Sequence, residues 1–182
     1  MSVTGPQGFL AGSAAAGLKA SGDLDVTVVV NDGPQAPAAG VFTSNRVKAA
    51  PVLWSQQVLR GGLVRAVVLN SGGANACTGP QGEADAFEMR RKAAEAFGVP
   101  EQYVAVASTG VIGELLDMDK VRSGIARLPE RVGKAGGDDF NQAILTTDLV
   151  KKTACVKLEA DGRTVHIAGA AKGSGMIHPN MA

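Results

Sequence analysis

Apolar positions switch along the chain between short β-branched runs and a helical stripe, and each switch predicts an element. The run Asp25-Val-Thr-Val-Val-Val30 predicts a strand, ended by the turn signal Asn31-Asp-Gly-Pro34. Gly40-Val-Phe-Thr43 is expected to continue the sheet. Residues 51–60 predict a helix, with Pro51 in its first turn and Gly61-Gly62 stopping it. Val64 to Leu69 then returns as a strand. Over residues 82–97, Ala86, Met89, Ala93 and Phe97 fall on one helical stripe, and Glu88/Lys92 and Arg91/Glu95 are spaced as ion pairs. Gly98 and Pro100 end that helix.

Val104-Ala-Val-Ala107 is apolar on both sides, which predicts a buried central strand running straight into Ser108-Thr-Gly110. Helices are expected over residues 118–128 and 138–145. Lys152 to Leu158 is expected to pair with Thr164 to Ala168 as a hairpin across Asp161-Gly162. Strands and helices mix throughout without an internal repeat, so the expectation is an α/β or α+β layered fold in one domain.

Composition narrows the function classes. A chain of 182 residues buries about 70% of its unfolded surface, enough for one sizeable core. Eighteen Lys plus Arg stand against 17 Asp plus Glu, which is not the basic footprint of a nucleic-acid binder. No run of about 18 apolar residues is present to span a membrane. Residues 8–18 have a faint signal-like apolarity, but no Lys or Arg precedes them. Cys77 and Cys155 are too few for a disulfide framework and lack metal spacing, so a reducing, cytoplasmic location is expected, with a single disulfide left open. His166 and His178 are far apart in sequence, and no metal site is expected.

The 24 glycines fall in clusters: Gly72-Gly73, Gly110 with Gly113, Gly136-Gly137, and Gly173 with Gly175. Such clusters predict tight turns and exposed N–H groups. The common nucleotide, zinc and serine-hydrolase signatures are absent. Asn70-Ser-Gly-Gly-Ala-Asn-Ala-Cys-Thr-Gly79 lies between a strand and a helix, where α/β sheets place ligand loops; it also fits a connection whose Asn side chains cap their own backbone. Within it, Cys77 reads as a nucleophile or, with no assignable histidine, as a small packed residue. Ser108-Thr-Gly-Val-Ile-Gly113 sets a hydroxyl beside a glycine, the combination an oxyanion hole uses, although a simple turn has the same composition. Thr146-Thr-Asp148 reads as a site element or a capping string, and Lys172 beside Gly173 as a site residue or a solvated lysine.

These strings, with Ala171-Lys-Gly-Ser-Gly-Met176 and Pro179-Asn-Met-Ala182, occur in register and resemble the α chain of the ornithine acetyltransferases, also called glutamate N-acetyltransferases, of arginine biosynthesis. Lys19-Ala-Ser21 and Phe42-Thr-Ser-Asn45 add similar stretches. The resemblance implies a layered α/β sandwich of the superfamily that includes self-processing aminopeptidases. It implies a precursor that cuts itself after an alanine matching Ala182, releasing a β chain whose first residue, a threonine, is the nucleophile. The implied assembly is two α and two β chains. The implied reaction moves an acetyl group from N-acetylornithine, and in bifunctional members from acetyl-CoA, to glutamate without a cofactor. Position by position, the oxyanion hole matches Thr109 and Gly110, and substrate binding matches Thr146 and Lys172. Two other readings stay open: a related self-processing acyltransferase or aminopeptidase of another pathway, and a non-catalytic small-molecule binding domain.

Overall fold

The computed structural model describes residues 2–181. Four strands form one mixed sheet in the order β1 (Phe9–Ala14), β2 (Val26–Asn31), β3 (Ala66–Gly73), β4 (Val104–Val111). The first three pair antiparallel, whereas β4 lies parallel to β3 after a crossover through a long helix. Helices are α1 (Ala50–Leu59), α2 (Gly79–Phe97), α3 (Met118–Ala126) and α4 (Gly137–Ala143). A separate hairpin of β5 (Lys152–Ala160) and β6 (Arg163–Ala171) turns through Asp161 and Gly162, both with positive φ, as expected for a two-residue turn.

The two sheet faces follow from strand alternation. Val26, Val28, Val68, Val104 and Val106 join Met89 and Ala93 of α2 and Val121 and Ile125 of α3 in the main core. The intervening Val29 and Leu69, with Ala11 of β1, pack under Phe140 and Ile144 of the α4 segment. The predicted α2 stripe is the buried one: Ala86, Met89 and Ala93 are fully shielded. Gly98 then ends α2 in the left-handed conformation with φ 63°.

Several expectations are corrected. Residues 40–43 are irregular; Thr43 makes one isolated bridge, to Met181, and no strand joins the sheet there. The strand expected over 64–69 is shifted to 66–73 and carries into the glycine loop. β4 is at one end of the strand order, not its centre. Both of its faces are packed, and its outer edge is covered not by a fifth strand but by α1, where the Ser55 hydroxyl accepts from the Val106 N–H at 2.9 Å and donates to the Val106 carbonyl at 2.6 Å. Glu88 pairs with Arg122 of α3 instead of Lys92, whereas the Arg91–Glu95 pair forms at 2.9 Å. Gly136 and Gly137 are not an open turn: a Cβ on either would overlap the Ala11 carbonyl or the Ser2 hydroxyl. Residues 8–18, with their faint signal-like apolarity, hold strand β1.

The Ser55 contact gives a stability prediction. Ser55→Ala removes both partners of a buried backbone unit and is expected to lower unfolding free energy by about 2 kcal/mol. Urea unfolding of the full-length protein measures it; a loss below about 0.5 kcal/mol would show that water takes over both bonds.

No described helix is long and apolar enough to cross a membrane.

Candidate active site

The site begins at the far end of the parallel pair β3/β4. There the backbones approach so closely that a Cβ on Gly110 would overlap the carbonyl of Gly72. Gly110 has φ 138° and Gly72 φ 115°, conformations that only glycine takes readily. Ser108, Thr109 and Gly110 therefore extend the strand and are not a turn.

Alternation fixes what each group faces. The Val106 N–H and carbonyl point off the outer edge to Ser55, while the Val111 carbonyl accepts from Ala74 on the β3 side. Gly110, of the same parity as Val106, thus directs its N–H away from β3. Ser71 is level with Thr109 in the ladder, and its hydroxyl donates to the Ala143 carbonyl at 2.5 Å on the α4 face. The Thr109 side chain emerges on that same face.

A cavity of about 780 Å³ opens there, lined by Thr109, Gly110, Thr146, Asp148, Lys172 and Lys19 among others. Thr146 follows the end of α4, and Lys172 follows the last residue of β6. The Lys172 ammonium donates to the Thr109 hydroxyl oxygen at 2.7 Å and to the Thr146 hydroxyl oxygen at 2.8 Å. Partial burial lowers the Lys172 pKa, opposed by the nearby Asp148 carboxylate and reinforced by Lys152. The turn bearing Lys172 is tied down: Asp148 Oδ1 accepts from the Gly173 N–H at 2.8 Å, and the Lys152 ammonium bonds both Asp148 and the Gly173 carbonyl. The Lys152 hydrogen bond, chiefly, holds the Asp148 carboxyl below the usual carboxylate range, aided by the Gly173 N–H.

Thr109, Gly110, Thr146 and Lys172, four of the five residues to which the family resemblance gives a role, thus share one cavity. Lys172 is not a solvated lysine, and Asp148 caps a turn distant in sequence. Ala182 lies outside the described residues. The Asn70–Gly79 loop divides. Gly72 lines the cavity, whereas Asn70 donates to the Gly73 carbonyl and Asn75 to the Gly82 carbonyl, the backbone-capping alternative. Cys77 is exposed, so neither a packed role nor a place among the cavity residues fits it. Both cysteines are free. No group of three or more His, Cys, Asp or Glu suited to a metal ion occurs among the described residues.

Two residues have no site role in the sequence reading, Asp25 and Lys19. Asp25, fully buried, accepts from the N–H groups of Ala16 and Leu18 at 2.6 Å each and of Lys19 at 3.1 Å. It shapes the loop that presents Lys19, whose ammonium donates to the carbonyls of Leu24 at 2.8 Å and Ala143 at 3.3 Å. Burial lowers the Lys19 pKa, Asp23 and Asp25 oppose this, and Lys172 adds to it. The available signal was a lone carboxylate opening an apolar strand, Asp25 before Val26.

Comparison with known proteins places this geometry. The chain is 56% identical to the arginine biosynthesis bifunctional protein ArgJ of Streptomyces avermitilis and 54% identical to that of Streptomyces coelicolor, in each case over the whole of this chain and 46% of the relative. It thus spans about half the length of these curated relatives. The crystal structure of ornithine acetyltransferase complexed with ornithine from Mycobacterium tuberculosis superposes with a TM-score of 0.93 at 50% identity, covering 100% of this chain and 96% of that one. The arginine biosynthesis bifunctional protein argJ from Bacillus halodurans superposes equally well, at 46% identity. The α/β architecture is therefore that of the solved ArgJ proteins, and with the family pattern matched over residues 10–182, the chain belongs to the ArgJ family.

Proposed function

We propose that this chain is the α portion, a single N-terminal unit, of a self-processed acetyltransferase that moves an acetyl group from N-acetylornithine to glutamate in arginine biosynthesis. The observation that carries the reading is the convergence of Thr109, Gly110, Thr146 and Lys172 on one cavity in a member of this family. In this reading the superfamily is that of the self-processing aminopeptidases and ornithine acetyltransferases. The precursor is cut after Ala182, and the threonine that begins the β chain is the nucleophile. Two α and two β chains assemble in the cytoplasm.

The reaction is a double displacement without a cofactor. The threonine hydroxyl adds to the acetamide carbonyl, its proton passing to the threonine's own amine. The tetrahedral intermediate carries its negative charge on the former carbonyl oxygen, held by the Thr109 hydroxyl and the Gly110 N–H. The C–N bond then breaks, ornithine leaves with the proton on its amine, and an acetyl ester remains on the threonine. The amine of glutamate attacks this ester, the C–O bond breaks and N-acetylglutamate departs. Thr146 and Lys172 bind substrate, with Lys172 facing its carboxylate through a charge-assisted contact.

Expression of the full gene, followed by intact mass, N-terminal sequencing and an acetyl-transfer assay, tests the reading. The expected result is this chain ending at Ala182, a partner beginning with threonine, and N-acetylglutamate formed from N-acetylornithine and glutamate. A single uncut species without transfer would falsify it and turn attention to a binding domain. The relatives are named bifunctional, and running the assay with acetyl-CoA as the alternative donor decides whether this protein shares that second activity.

A further inference from the structure

The hydrogen-bond inventory around Lys172 carries a step that substrate binding does not require. A charged ammonium has three donors and no acceptor. In both short contacts it makes, to Thr109 at 2.7 Å and Thr146 at 2.8 Å, the threonine oxygen must therefore be the acceptor. A hydroxyl has one proton, and that of Thr109 cannot lie on the Lys172 side. Among the described residues Thr109 donates to no other group, so its proton is left for the cavity.

We propose that Lys172 is a positioning residue for the oxyanion hole: by occupying the acceptor side of the Thr109 hydroxyl, it keeps that proton turned toward the oxygen on which charge develops. The inference rests on the acetyl-transfer reading of the cavity and adds a role to one of its substrate-binding residues. A strand threonine without such a partner readily turns its proton onto a nearby backbone carbonyl. Lys172 removes that choice before substrate arrives. The ammonium is itself prepositioned, because Asp148 and Lys152 anchor the adjoining Gly173. The charged groups acting on it are Asp148, Lys152 and Lys19, and the carboxylates of Asp23 and Glu114 also line the cavity.

The test is kcat of the full-length processed enzyme at saturating N-acetylornithine and glutamate, with Lys172→Met placed in three backgrounds. If Lys172 acts through the Thr109 hydroxyl, it costs about 100-fold in the wild type and in Thr109→Ser, which keeps the hydroxyl, but under about threefold in Thr109→Ala. KM rises in all three, since the carboxylate contact is lost in each. A role confined to structure or to substrate binding gives the same kcat ratio in every background, and that result overturns the inference while leaving the acetyltransferase reading intact. A wild type that transfers no acetyl group overturns both.

Discussion

Thr109→Ala is expected to slow acetyl transfer by roughly 100-fold or more while leaving the fold in place. The hydroxyl is one of two donors proposed for the oxyanion, and removing one such donor typically costs about 3 kcal/mol of transition-state stabilisation. The ladder that holds Thr109 level with Ser71 is made of backbone groups, which alanine supplies equally well. Unfolding free energy should therefore move by less than about 1 kcal/mol. The loss should appear in kcat, because the charge forms only in the transition state. Steady-state kinetics beside a denaturation curve checks both halves. A variant that turns over within about threefold of the wild type would remove Thr109 from the oxyanion hole.

Gly110→Ala is expected to do more, lowering turnover by about 1000-fold or more and destabilising the protein by about 3 kcal/mol or more. A φ of 138° is strained for any L-residue, and the added Cβ overlaps the carbonyl of Gly72. Relief requires β3 and β4 to part at the point where Thr109 and the Gly110 N–H are set, so both proposed donors move together. The two variants then form a contrast: one loses rate alone, the other rate and stability. Equal stability of the Gly110→Ala protein would show that the strands can separate without cost.

How much of this was readable in advance depended on the range of the interaction. Helix α2 was legible because its stripe of Ala86, Met89 and Ala93 is a local pattern, and the β5–β6 hairpin because Asp161-Gly162 is a local turn. The position of β4 at one end of the sheet cannot be read from its own residues, for a physical reason. Apolar residues on both sides of a strand report burial of its two faces, and they do not say whether a second strand or Ser55 of a helix covers its edge. Residues 40–43 have strand-like chemistry but find only the single Thr43–Met181 bridge, and pairing is a non-local property.

The site was legible to a different degree at each residue. Thr109 and Gly110 are adjacent, so a hydroxyl beside a bare backbone could be seen as a unit. Lys172 reaches its two threonines across 63 and 26 residues, and nothing local distinguishes it from any lysine beside a glycine. Only the family resemblance decides between its two local readings, site residue and solvated lysine. Lys19 has the same handicap without an assigned role, and locally the Asp25 carboxylate that shapes its loop is indistinguishable from a polar residue opening a strand.

The contact between Gly110 and Gly72 also bears on how this site can change over generations. Most steric conflicts can be repaired by a later mutation that trims the opposing side chain. Here the opposing atoms are the main chain of Gly72, shared by all twenty amino acids, so no exchange at that position makes room. Position 110 is consequently closed to compensated drift, while position 109 stays open to serine, which keeps the hydroxyl. Diversification of substrate preference in proteins built this way is directed toward the other walls of the cavity, the loop carrying Lys19 and the segments after α4 and β6.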